Sequence, residues 1–363
     1  MTEHYRYRQQ GKFLLSLDQS LLSAIRFVAL GYRRNRLAAI GIPRRLRLAC
    51  TRAIIKDRLR LGDAGNVVEL PAFGHIAMAV HRGYKVFDFK RASVTKVFAP
   101  GTDSEDAKLE IDANRHSSEI KAAPRFIEED PGHAWYREEY ICGEHATDPA
   151  QRSGKDVREY YPAVADCLLD LVGSRPPKLV DTLAHIELHA DTSFRSRWLA
   201  AGQDERQLDE IVRYIEEIAG WLRKHAKPDQ IQLVPSHGDF SLVNTIVTDS
   251  GLRFIDWEGL AYGGLYNDLV HFLFVERYYG RIGERFTDEM ADFVSRYSEA
   301  AANRYPELRS SVDLDFAFAR RLYYLERISL LLRRSISSNL CNVIIKSIAT
   351  FRAYDLDAGD IAA

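Results

Sequence analysis

The stretch Ser236–Gly259, SHGDFSLVNTIVTDSGLRFIDWEG, surrounds two short apolar runs with His, Asp, Asn and Glu. TIV and LRFI are rich in β-branched and aromatic residues, and TDSG between them carries turn formers, so the segment predicts a β-hairpin centred near Ser250. Folding about that point sets Val247 opposite Arg253, Thr245 opposite Ile255 and Asn244 opposite Asp256. Two oxygen ligands then meet at one end of the ribbon, and Asp239 lies on the loop five residues before Asn244. Hard oxygen donors that leave room for water and phosphate oxygens suit Mg²⁺. The pattern points to a metal–phosphate site with a further carboxylate beside it.

HGDFSLVN followed by IDWE resembles the catalytic core of the aminoglycoside phosphotransferase and choline kinase family, whose fold is similar to that of protein kinases. The resemblance implies that Asp239 orients or deprotonates an acceptor hydroxyl, that Asn244 binds Mg²⁺, and that Asp256 binds Mg²⁺ bridging the phosphates. It further implies that His237 braces the loop and Gly238 permits its tight backbone, while Asp268 in GGLYNDLVHF anchors the loop through backbone hydrogen bonds. The fold implied is α+β and two-lobed, protein kinase-like, with a small antiparallel-sheet lobe, a larger mostly helical lobe and a basic helical N-terminal extension. The boundaries expected are 1–64 for the extension, 65–143 for the nucleotide-binding lobe and 144–363 for the catalytic and acceptor-binding lobe.

Such a site needs a cation for the nucleotide phosphates. GHIAMAVHRGYKVFDFKRASVTKVFAPG reads as three strands with turns near Arg82-Gly83 and Arg91-Ala92, and Lys96 sits in the third. A lysine on a third strand, held by a glutamate of the next helix, recurs in kinases. Lys85 and Lys90 are its rivals. The following SEDAKLEIDANRHSSEI is helix-forming, with Ser104 as its N-cap and Glu110 as the expected partner of Lys96; Glu105 and Glu119 remain alternatives. No GxGxxG is present, so backbone amides near Arg82 and Gly83 would cover the nucleotide. HAWYREEYICGEH resembles the strand leading to the hinge between lobes, which implies purine contacts from the backbone of Glu139 and Ile141.

Composition is that of a globular enzyme, 46% hydrophobic and 28% charged. The four cysteines, at 50, 142, 167 and 341, form no CxxC pair, which fits buried thiols in a reducing cytoplasm. Neither HExxH nor G-x-S-x-G occurs, against a zinc protease or an α/β-hydrolase. Charge is divided unevenly. Residues 1–60 carry fourteen Lys or Arg and three Asp or Glu, a balance of +11, against 36 basic and 48 acidic residues, a balance of −12, in the remainder. Asp18 and Arg26 interrupt the longest apolar run, so no spanning helix is expected. The basic segment predicts either packing on the core or peripheral contact with an anionic membrane at its inner face. Aromatics are not interleaved with the arginines, which argues against nucleic acid.

Helical periodicity dominates beyond the hairpin, where Tyr278, Tyr323 and Tyr324 read as core. Arg320, Arg321, Arg327, Arg333 and Arg334 face few acids in their stretch, which leans towards a neutral or anionic acceptor. The function predicted is transfer of the γ-phosphoryl of ATP or GTP, with Mg²⁺, to a hydroxyl: a sugar or glycan-related acceptor first, then a small metabolite such as choline, then an antibiotic. The alternative is a catalytically weak kinase-like scaffold acting through its basic extension.

Overall fold

The computed structural model describes residues 4–10, 13–18, 67–147, 157–227, 229–282, 286–333 and 338–357. In chain order it has β1 (His4–Gln10), β2 (Phe13–Ser16), β3 (Val67–Pro71), β4 (Ile76–Val80), β5 (Gly83–Asp88), β6 (Ser93–Phe98), α1 (Ser104–Ser117), β7 (Phe126–Glu129), β8 (Trp135–Glu139) and β9 (Glu144–His145). There follow α2 (Tyr161–Val172), β10 (Lys178–Asp181), α3 (Thr182–His189), α4 (Phe194–Ala200), α5 (Glu205–His225), β11 (Gln230–Ser236), β12 (Thr245–Thr248), β13 (Gly251–Phe254) and β14 (Ala261–Gly263). The chain closes with α6 (Asn267–Tyr278), α7 (Phe286–Arg304), α8 (Arg309–Val312), α9 (Phe316–Arg333) and α10 (Ser338–Asp357). It divides into two units, residues 1–155 with 242–259, and residues 156–241 with 260–363.

The first unit is built on an eight-stranded antiparallel sheet in the order β3-β1-β2-β4-β5-β6-β8-β7. β4, β5 and β6 fall where apolar alternation and the two turns place them, and both turns use left-handed residues, Arg82 at φ 57° and Ala92 at φ 50°. Tyr7, Leu14, Leu70, Ala77, Val86 and Val97 form one core cluster; Phe98, Tyr136, Ala107 and Ile111 form another where α1 meets the sheet. Each large side chain so buried stabilises the unit by about 1.5–3 kcal/mol. Asp103, not Ser104, caps α1, its carboxylate accepting the Glu105 N–H at 2.7 Å. The helix buries Ala107, Glu110, Ile111 and Asn114, one face at helical spacing, and leaves Leu109 to solvent.

The expected N-terminal extension is corrected at its start. Residues 4–16 are a strand hairpin, not helix, pairing Tyr7 with Ser16 and Gln10 with Phe13, and it adds β1 and β2 to the sheet. The signal lay in the alternation of HYRYR, which period-2 reading makes a strand with Tyr5 and Tyr7 on one face. Residues 19–66, where the helical and membrane-contacting part was expected, lie outside the described residues. Among the described residues no helix is long and apolar enough to cross a membrane. The expected division at residue 143 also shifts: the Asn244–Asp256 hairpin belongs with the first unit, through pairing of β12 with β9 and the Phe254 N–H donating to Ala122 O at 2.8 Å.

The second unit is mostly helical, with a small antiparallel sheet β10-β11-β14. α5 buries Leu208, Ile211, Ile215, Ile218 and Leu222 along one stripe, and α9 is buried nearly all round. That burial changes the reading of its arginines. Arg320 and Arg321 pair with the buried Asp355 at 2.8 and 3.5 Å and lie over the rings of Tyr354 and Trp221, so they serve the core rather than an acceptor. Tyr323 and Tyr324 are core as expected, whereas Tyr278 is 53% exposed. Cys167 and Cys341 are buried and Cys142 is exposed.

Candidate active site

The hairpin within Ser236–Gly259 is present, one residue out of the expected register. β12 pairs with β13 as Thr245–Phe254, Ile246–Arg253, Val247–Leu252 and Thr248–Gly251, so Asp249 and Ser250 alone make the turn. Asn244 therefore faces Ile255, whose N–H donates to its carbonyl at 2.9 Å. Asp256 follows at φ 70°, a left-handed conformation that a non-glycine residue adopts only under constraint. Asn244 and Asp256 line one cavity of the first unit, about 470 Å³, within the range of small-molecule sites.

Lys85 and Lys96 are cross-strand partners on β5 and β6. Like charges so placed destabilise a sheet unless acids intervene, and four carboxyls do. Lys96, 1% exposed, holds Glu110 at 3.2 Å, donates to the His81 carbonyl at 2.6 Å and lies 3.8 Å from Glu258. Glu110 also accepts from the Tyr136 hydroxyl at 3.2 Å. Lys85 reaches into the cavity and holds Asp256 at 3.0 Å. Burial would lower the Lys85 ammonium, but Asp256 and Glu138 outweigh it and raise its pKa. Glu138, also on the cavity wall, is pushed up to about 7 by burial, against the pull of Lys85. Burial likewise raises Glu258, with Asp256 adding to the effect. Two ammonium groups face four carboxyls, an excess of negative charge that the raised acids relieve in part and a divalent cation would relieve fully. The oxygen donors of Asn244 and Asp256 on that wall fit Mg²⁺.

The remaining first-unit expectations are met unevenly. Neither Lys96 nor Glu110 lines the cavity; Val80 and His81 of the turn do, and Arg82 and Gly83 do not. The Arg82 guanidinium pairs with Asp106 at 3.0 Å, and its carbonyl accepts the Ala99 N–H. Gly83 is required by packing, since a Cβ there would lie 2.1 Å from Val97 O. Glu139 and Ile141 both line the cavity, but the Glu139 N–H donates to Arg125 O at 2.9 Å, so that donor is not available to a purine. The Glu139 carboxylate holds Arg253 at 2.9 Å.

In the second unit the loop after β11 is pinned from below. The buried Asp268 carboxylate accepts the N–H groups of His237 at 2.6 Å and Gly238 at 2.9 Å, and Gly238 sits at φ 78°, where glycine is favoured. Asp239 Oδ1 is held by Arg327 Nη2 and by His271 Nε2, both at 3.1 Å, while Arg327 Nη1 donates to Gly238 O at 2.8 Å. His271 Nδ1 faces the Tyr323 hydroxyl at 2.8 Å. Burial, helped by Arg327, lowers the His271 pKa, and burial raises that of Tyr323. A neutral imidazole and a protonated phenol leave one consistent arrangement: Tyr323 donates to Nδ1, and Nε2–H donates to Asp239. Burial alone would raise the Asp239 carboxyl, yet the His271 hydrogen bond and the Arg327 charge hold it well below the usual carboxylate range.

The phosphotransferase enzyme family matches residues 81–309, which contain Lys85, Lys96, Glu110, Asp239, Asn244, Asp256, Asp268 and His271 but not Tyr323 or Arg327. The chain belongs to that family. Among solved structures it is similar to a choline kinase from Cryptosporidium parvum Iowa II, at 16% identity and TM-score 0.51, covering 74% of this chain and 83% of that one. It is also similar to a choline/ethanolamine kinase family protein from Mesorhizobium loti, at 14% identity and TM-score 0.46, covering 75% and 85%. A third is the amicoumacin kinase hAmiN, at 14% identity and TM-score 0.48, covering 76% and 87%. No curated protein sequence matches significantly. The likeness to the first of these supports a kinase-like fold for this phosphotransferase-family chain.

Several groups around the site escaped sequence reading. The pairing of Lys85 with Asp256 spans 171 residues, and Arg327 with Asp239 spans 88. Glu138 carried a usable signal, since it alternates with Tyr136 on the strand before the presumed hinge. For His271 and Arg327 no local pattern distinguishes a loop-holding side chain from a helix-surface one.

Proposed function

We propose that this phosphotransferase-family chain transfers the γ-phosphoryl group of ATP or GTP to a hydroxyl of a small molecule, a sugar or glycan-related acceptor first. The observation that carries the reading is the cavity in which Asn244, Asp256, Lys85 and Glu258 converge on oxygen-rich, charge-unbalanced walls. Asn244 and Asp256 would hold Mg²⁺, which when bound neutralises the phosphates and the charge that develops on them. Lys85 lies at Asp256 and supplies cationic charge on the same wall. Lys96, held by Glu110 and bonded to His81 O, fixes a turn residue that lines the cavity and would help to hold the nucleotide there.

Asp239 would receive the acceptor O–H. With its carboxylate stabilised by His271 and Arg327 it is a weak base, so it orients the hydroxyl through a hydrogen bond and takes the proton only as the new P–O bond forms. That order suits a loose phosphoryl-transfer transition state, which asks for little nucleophile activation. Arg327, whose side chain is 15% exposed, is the cation beside Asp239, and with Arg320 and Arg321 withdrawn into the core it supports the lean towards a neutral or anionic acceptor. Incubation with γ-labelled ATP or GTP, Mg²⁺ and a panel of sugars, amino alcohols and aminoglycosides tests the reading. Label in an acid-stable phosphate ester is the expected result; no ester from any hydroxyl class, and no Mg²⁺-dependent nucleotide binding, overturns it.

A further inference from the structure

Away from the Asp239 loop, the second unit brings two histidines and a glutamate together. His185 and His189 lie one turn apart on α3, and Glu326 faces them from α9; one ligand atom from each lies within 4.8 Å of the others. His185 Nε2 and Glu326 Oε1 are 2.6 Å apart, and the Asn267 amide donates to Glu326 Oε2. Nδ1 of His189 is buried without a hydrogen-bond partner, although the two imidazoles pack with centroids 4.6 Å apart. Buried polar nitrogens rarely go unmatched, and an orphan one on an imidazole packed against His185 needs a reason.

We propose that His185, His189 and Glu326 form a binding site for a transition-metal ion of the zinc type. Two imidazoles and one carboxylate, with a fourth position left for water, are a known zinc donor set. Imidazole nitrogens select against Mg²⁺ and Ca²⁺, so this site differs in chemistry from the oxygen donors Asn244 and Asp256. Metal–ligand distances of about 2.0–2.2 Å in tetrahedral geometry put neighbouring ligand atoms about 3.3 Å apart. The His185–Glu326 pair would therefore open from 2.6 Å by roughly the width that admits the ion in place of their shared proton. Asn267, holding the other carboxylate oxygen, fixes Glu326 in the manner of an outer-shell ligand partner. Asn267 and Glu326 immediately precede Asp268 and Arg327, the residues that hold the Gly238–Asp239 backbone and carboxylate, so a bound ion would tie α9 to α3 directly and α6 through Asn267.

The test uses the full chain, stripped with a chelator and kept in excess Mg²⁺ so that the oxygen-donor site is occupied. Titration with Zn²⁺ by calorimetry, and with Co²⁺ by visible absorption, reads the site directly and does not depend on phosphoryl transfer. One Zn²⁺ per chain and the intense d–d bands of four-coordinate Co²⁺ are expected. His189→Ala removes a ring nitrogen that makes no hydrogen bond, so the melt should hold while Zn²⁺ affinity falls at least about 10-fold and the bands vanish. Glu326→Gln should weaken binding similarly. No uptake by the wild type, or uptake that survives both substitutions, overturns the assignment.

Discussion

Glu110→Gln is the sharpest probe of the first unit, because it removes the charge of one partner and changes almost nothing else. Lys96 and Glu110 are 1% and 3% exposed and 3.2 Å apart. Breaking a buried pair by removing one member costs about 3–5 kcal/mol, since the survivor is left charged in a low-dielectric site. Lys96 keeps the His81 carbonyl at 2.6 Å and Glu258 at 3.8 Å, which places the expected loss at the lower end, about 3 kcal/mol. For a unit of this size each kcal/mol shifts the melting temperature by about 2–4 °C, so calorimetry should find a drop of about 6–12 °C. The double variant Lys96→Met/Glu110→Gln leaves no orphan charge and should recover at least half of that loss, a favourable coupling of about 1.5–3 kcal/mol. A Glu110→Gln melt within about 1 °C of wild type, or single losses that simply add in the double variant, would refute the reasoning.

Further outcomes follow from the same site. Glu138 has its pKa raised to about 7 from 4.5, so the folded unit binds the extra proton and its contribution is fully present below about 4.5 and lost as pH rises through 7. Glu138→Gln should flatten that decline, by about 3 kcal/mol at most, in wild-type-minus-variant melts taken between pH 4.5 and 8; identical slopes would show the acid is not protonated. Asp256→Ala should lower turnover by at least about 10²-fold in a folded protein, and near-normal activity would remove its assigned role. Arg327→Met takes a charge-assisted partner from a half-exposed carboxylate, so a loss of about 1–2 kcal/mol in transition-state stabilisation, roughly 5- to 30-fold in kcat/KM, is expected. An unchanged kcat/KM would make Arg327 a loop strut only.

What the chain's letters disclosed is the part whose physics is local. Strand alternation with turns at Arg82-Gly83 and Ala92 located Lys96, while the helix-forming stretch offered Glu110 with Glu105 and Glu119 as alternatives, and it is Glu110 on the buried face of α1 that meets the lysine. Errors of one residue arose where neighbouring residues compete for one role. Asp103 and Ser104 are both good caps, and the carboxylate won. The letters centre the hairpin on Ser250, but the two-residue Asp249-Ser250 turn shifts the register by one. The β1–β2 hairpin lies inside the segment 1–64 expected to be helical, although Arg6 and Arg8 alternate with Tyr5 and Tyr7 at the period of a strand. Long-range side-chain meetings were out of reach altogether. Lys85 at Asp256 and Arg327 at Asp239 depend on how whole elements pack, and the burial of Arg320 and Arg321 against Asp355 reversed the sense of a charge pattern that sequence alone reads as surface.

The central claim is phosphoryl transfer with Asp239 acting on the acceptor and not on the nucleotide. It is tested most directly by comparing wild type with Asp239→Asn in two readouts on one preparation: Mg²⁺-dependent nucleotide binding by calorimetry, and formation of the phosphate ester by ³¹P NMR with whichever hydroxyl compound the screen identifies. Asp239 belongs to the second unit and the cavity carrying Asn244 and Asp256 to the first, so on this account the variant should bind nucleotide as wild type does and form ester at least about 10²-fold more slowly. Equal loss of nucleotide binding and ester formation, or unimpaired ester formation, would contradict the account.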